Sequence, residues 1–143
     1  MTKNKQTEFL LLKIKSPQGV DFYAEHIKVI NQCGYVDFAK VGNSKINVGN
    51  LKEGYTIYIK ESIGNGGKLY SAKLISVSDK GEVFPDYYNG LNIERAYWFR
   101  IAKLTPIEKL DYLDGYETRA GGDVKRALKS MSPNFYIVKR NEQ

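Results

Sequence analysis

The chain has 143 residues, 42% hydrophobic and 27% charged, enough to bury a core in one domain without a low-complexity tract. Its net charge of +6 and pI ≈ 9.3 favour polyanionic partners. Cys33 is the single cysteine and His26 the single histidine, which excludes an intramolecular disulfide, a cysteine-based zinc site and any site built on two histidines.

In chain order, residues 1–7 read as a flexible basic arm and residues 8–143 as a single domain. Met1–Gln6 is polar and lacks the apolar stretch of a signal peptide, and no apolar run approaches the ~20 residues that span a bilayer. A cytoplasmic protein with no membrane association is expected. Glu8–Lys15 reads as a strand, with Leu10, Leu12 and Ile14 on one face and Phe9 and Leu11 partly covered on the other. Ser16-Pro17-Gln18-Gly19 breaks it. A helix is predicted from Asp21 to Gln32, with Tyr23, Ala24, Ile27 and Ile30 as its apolar stripe. Glu25, His26 and Lys28 are expected to face solvent, Cys33 to be a small core residue, and Gly34 to end the helix.

Tyr35–Val41 is the next predicted strand, followed by a polar loop over Gly42–Leu51. Tyr55–Glu61 alternates as a strand, and Gly64-Asn65-Gly66-Gly67 signals a hairpin into Leu69–Val77. That returning strand changes phase near Leu74-Ile75, which predicts a bulge. Gly81–Glu94 reads as a long aromatic loop, and Ala96–Leu104 as a strand. Thr105-Pro106-Ile107-Glu108 has the form of a capping box, predicting a short helix to Asp114. Gly121-Gly122-Asp123 opens a second helix, in which Val124, Ala127, Leu128 and Met131 share one face and Lys125, Arg126 and Lys129 the other. Asn134–Arg140 reads as the final strand. The expected class is α+β: about six mainly antiparallel strands closed into a small β-barrel, with flanking helices.

The order of these elements resembles the PUA-like superfamily, within it the EVE and YTH domains. The matching segments are Leu51-Lys52-Glu53-Gly54 leading into Tyr55–Lys60, the strand Leu69–Val77, and the aromatic strand with Pro-Ile over Tyr97–Ile107. The resemblance implies a PUA-like barrel that binds a nucleobase in an aromatic pocket. The region of the family's early pocket tryptophan holds Tyr35 and Phe38 here.

Candidate base-stacking residues are therefore Trp98, Tyr87, Tyr88 and Phe38. Candidate phosphate ligands are Lys40, Lys45, Arg100, Arg119, Lys125, Arg126 and Lys129, because clustered cations track a phosphate backbone. Lys40 and Lys45 flank Asn43-Ser44 in a strand-to-loop passage that lacks the glycine spacing of a P-loop. Gly115–Gly122 precedes a helix N-terminus and is weighed as an anion site against ordinary capping by Asp123. No catalytic motif stands out: Asp37, Asp86 and Glu117 are carboxylates without an evident partner, and neither a cofactor nor a metal is implied. The leading expectation is a non-catalytic binder of RNA or DNA, plain or modified. The alternatives are a protein-interaction module or inhibitor in a phage–host defence system, and a base- or nucleotide-processing hydrolase.

Overall fold

A computed structural model describes residues 6–15, 17, 19–41, 51–61, 68–90, 96–108, 110–129 and 134–139. The strands are β1 (Glu8–Ile14), β2 (Val36–Val41), β3 (Thr56–Glu61), β4 (Leu69–Ser78), β5 (Ala96–Ile107), β6 (Tyr116–Thr118) and β7 (Asn134–Lys139). The helices are α1 (Phe22–Cys33) and α2 (Val124–Lys129), with 3-10 turns over Asp86–Gly90 and Leu110–Gly115. All seven strands form one sheet in the order β2-β5-β4-β3-β1-β7-β6. β1 and β3 run parallel, and every other pair is antiparallel.

The expected six-stranded, PUA-like barrel is thus corrected to an open, mixed seven-stranded sheet. Its edges are β2 and β6, which do not pair with each other among the described residues. Two features were outside the reach of local pattern. The three-residue strand β6 is too short to show alternation. The parallel β1/β3 ladder joins segments some fifty residues apart, Leu11 to Tyr58 and Lys13 to Lys60.

The sheet is not regular throughout. The register of β4 against β5 slips twice, between Ser71 and Lys73 and between Leu74 and Ser76. The second slip is the bulge expected at Leu74-Ile75; the first lies opposite Lys103, whose φ of 54° is the only positive value outside glycine among the described residues. Bulges increase local twist.

β1 explains its own unbroken apolar run. It is central and covered on both faces, so Leu10, Leu11 and Leu12 are all fully buried. Leu10 and Leu12 join Ile57, Ile59, Tyr70, Leu74, Phe38, Phe99 and Ile101 in a core beneath α1. Phe9 and Leu11 join Tyr58, Leu113, Tyr116, Val124 and Ile137 in a second core beneath α2 and the Leu110–Gly115 turn. Burial of each such leucine contributes about 1.5–3 kcal/mol before chain entropy is counted.

α1 begins where predicted: Asp21 accepts a hydrogen bond from the Ala24 amide at 3.0 Å. It ends at Gly34, which takes φ 88° and donates its N–H to the Ile30 carbonyl. Its buried face differs from the expected stripe. Phe22, His26 and Val29 point inward, whereas Tyr23, Ile27 and Ile30 pack at the rim and Ala24 is exposed. Cys33, expected in the core, is exposed on the last turn.

The predicted helix start at Thr105-Pro106-Ile107-Glu108 is strand instead. β5 continues through Ile107, pairing Thr105, Pro106 and Ile107 with Ser71, Tyr70 and Leu69. Pro106 is tolerated because β2 reaches only as far as Ile101, which leaves the other side of β5 without a ladder there among the described residues. The hairpin signal at Gly64–Gly67 and the loop Gly42–Asn50 lie outside the described residues, as do residues 1–5 of the expected arm. Gln6 pairs its side-chain amide with the backbone of Thr56, donating to the carbonyl and accepting from the N–H at 2.7 Å each.

Candidate nucleic-acid interface

The aromatic candidates come together, but largely against one another. Tyr88 is buried, with its ring 4.8 Å from that of Tyr87, 5.6 Å from Phe84 and 5.8 Å from Trp98. Tyr87 and Trp98 are half-buried. Phe38 is buried in the main core, edge-on to Phe22. A groove of about 510 Å³ runs between α1 and the segment 82–86, and of this aromatic set only Phe84 lines it.

His26, expected in solvent, is the hinge pin of the cluster. It is fully buried, with Nδ1 2.8 Å from the Phe22 carbonyl and Nε2 2.5 Å from the Tyr88 hydroxyl. A carbonyl only accepts, so Nδ1 carries the proton, Nε2 accepts, and Tyr88 donates. Both ring nitrogens are satisfied, which is why the histidine can be buried. Burial lowers its pKa to about 4, against the smaller upward pull of the Phe22 carbonyl. Burial also pushes the Tyr88 phenol well above its ordinary value and the Tyr87 phenol up to about 12.

Trp98 lies flat against the backbone of Gly81, so that a Cβ there would overlap the indole ring. Gly81→Ala is therefore expected to displace Trp98 and destabilise the protein by about 1–3 kcal/mol. Trp98 is the only tryptophan, so its emission reports the displacement directly. An unchanged spectrum and melting temperature would contradict this packing.

Several cationic candidates are committed to the fold. Arg100 donates to Asp37 from Nε at 2.8 Å and Nη2 at 3.1 Å, and its guanidinium stacks 4.3 Å from the Tyr35 ring centre. Asp37 also accepts the N–H groups of Glu82 and Val83, fastening that segment along edge strand β2. Arg119 pairs with Glu8 at 2.8 Å and lies 4.1 Å from the Tyr136 ring centre. The Gly115–Gly122 loop closes on itself: Gly122 donates to the Thr118 hydroxyl, and Thr118 donates its N–H to the Gly122 carbonyl. Lys125 meets Asp114 at 3.2 Å, an exposed pair of small energetic weight. Arg126 and Lys129 are exposed and make no salt bridge among the described residues. Lys45 lies outside the described residues.

What the sequence did not bring together is a lysine cluster. Lys13 and Lys60 are register partners on β1 and β3. By alternation they share the face of Phe9, Leu11 and Tyr58, toward α2. Lys13 donates to the Ala127 carbonyl at 2.6 Å, so the cluster adjoins the basic end of α2. Burial lowers the pKa of Lys13, Lys40 and Lys60; the Lys60 charge adds to this at Lys13, and the Lys13 charge at Lys40. Glu61 acts in the opposite sense on Lys60. Only the long-range β1/β3 register could have revealed the Lys13–Lys60 pair.

No group of three or more His, Cys, Asp or Glu side chains among the described residues is placed to hold a metal ion. No helix among them is long and apolar enough to cross a membrane. Comparison with family models, curated proteins and solved structures finds no match to this chain.

Proposed function

We propose that this chain is a cytoplasmic nucleic-acid-binding domain that holds the phosphate backbone on Lys13 and Lys60, with Arg126 and Lys129 of α2 extending the surface. The observation that carries this reading is the placement of Lys13 and Lys60 opposite one another on adjacent strands beside the basic helix α2, whose Ala127 carbonyl accepts from Lys13. A polyanion is drawn to such a concentration of positive charge and releases its own counterions on binding. Arg100 and Arg119 serve the fold in this reading, and Tyr88 and Phe38 serve the core.

Fluorescence anisotropy with labelled single-stranded RNA, single-stranded DNA and duplex tests the proposal. Binding is expected at low salt, weakening steadily as salt rises. Absence of binding to all three at 20 mM salt would overturn it.

A further inference from the structure

One residue past the Lys13–Lys60 pair, β1 and β3 place Ile14 beside Glu61. Alternation turns Glu61 to the opposite face from Lys60, the face of Ile57 and Ile59. Glu61 is only 4% exposed, yet it lines an open cavity of about 310 Å³ together with Gly19, Val20, Asp21, Phe22 and Lys68. Its Oε1 accepts the Tyr70 hydroxyl at 2.5 Å. Its Oε2 has no partner among the described residues. Tyr70 is itself held by Tyr23, whose ring is parallel to it within 2° at 5.8 Å. A buried carboxylate with acceptor capacity left over is costly unless something donates to it.

The chemistry of the rim narrows the donor. A carboxylate only accepts, so the ligand must bring N–H or O–H groups. The wall also carries the Asp21 carboxylate and the Lys68 ammonium, so a plain cation would leave Lys68 without an acceptor, and a ligand that brings both donors and an acceptor suits the lining better. A neutral planar edge carrying two adjacent N–H donors and a neighbouring carbonyl suits both groups. The guanine edge has this form: N1–H and N2–H toward Glu61, O6 toward Lys68.

We infer that the cavity between β3 and the start of α1 is a guanine-reading pocket, with Glu61 as the acceptor and Lys68 at the carbonyl. This rests on the nucleic-acid reading above, since Lys13 and Lys60 stand at the same end of the sheet. Isothermal titration of the full chain with guanosine, inosine and adenosine monophosphates tests it, because the phosphate is common to all three. Guanosine monophosphate is expected to bind about tenfold tighter than the inosine form, which lacks the N2 amine, and the adenosine form weakest. Glu61→Gln is expected to lose guanosine monophosphate about tenfold or more.

Equal affinity for the three nucleotides would overturn the pocket, as would tighter binding of N-acetyl-arginine amide or an undiminished Glu61→Gln variant. If that variant does not fold, the ranking of nucleotides by the unaltered protein decides. Salt-dependent strand binding without nucleotide discrimination overturns the pocket alone, whereas discrimination without strand binding overturns the lysine surface alone.

Discussion

Replacing Asp37 with alanine is expected to lower stability by about 3 kcal/mol, toward the lower end of what breaking a buried ion pair costs. Asp37 is 3% exposed and takes four hydrogen bonds, two from Arg100 and one each from the amides of Glu82 and Val83. Its removal strands all four donors. Water can partly recover Arg100, whose side chain is 24% exposed, which sets the lower figure; the two amides are less easily recovered. Urea unfolding at pH 7 measures the loss, and a change below about 1 kcal/mol would contradict the role given to Asp37. Arg100→Ala should also destabilise, while leaving the salt dependence of strand binding unchanged, because Arg100 is spent on Asp37.

Acidification should cost almost as much, through His26. Its folded pKa is about 4, below the ordinary 6.5, because burial disfavours the charged ring. A depressed folded pKa means that the unfolded chain binds the proton first. The stabilisation is therefore complete above pH 6.5 and is lost as pH falls toward 4, by about 3 kcal/mol in all. Asp37 follows at lower pH. Burial raises its pKa, but the hydrogen bonds from Arg100, Glu82 and Val83 together outweigh that and hold it below the ordinary 3.8. Urea midpoints at pH 7 and pH 4.5 should differ markedly in the natural chain and much less in His26→Leu. Equal midpoints in the natural chain would mean that His26 is not buried as described.

The two titratable groups that matter most to the fold were the least legible in the sequence. Asp37 looked like one of several unpartnered carboxylates, because its partner Arg100 lies sixty-three residues away on β5. His26 fell on the polar side of a helical wheel, and nothing local announces that Phe22 and Tyr88 satisfy both of its nitrogens. Where the pattern was local, it served well: the start of α1 near Asp21 and its end at Gly34, the bulge at Leu74-Ile75, and the apolar run of β1 all follow from neighbouring residues. Thr105-Pro106-Ile107-Glu108 shows the opposite case. A sound local capping signal lost to the ladder with β4, where Tyr70 and Ile107 gain buried neighbours. The barrel expectation failed for the same reason, since closure depends on pairing between distant edges that no local alternation encodes.

The same logic governs the candidate site. Basic α2 was readable as a stripe, but the Lys13–Lys60 pair exists only because β1 lies parallel to β3 in one register. The most direct test is therefore the slope of log affinity against log salt for single-stranded nucleic acid, in the natural chain and in the Lys13→Gln/Lys60→Gln double variant. Each phosphate contact on a single strand contributes about 0.7 to that slope, so the double variant should be shallower by about 1.4. An unchanged slope in a folded double variant would contradict the account.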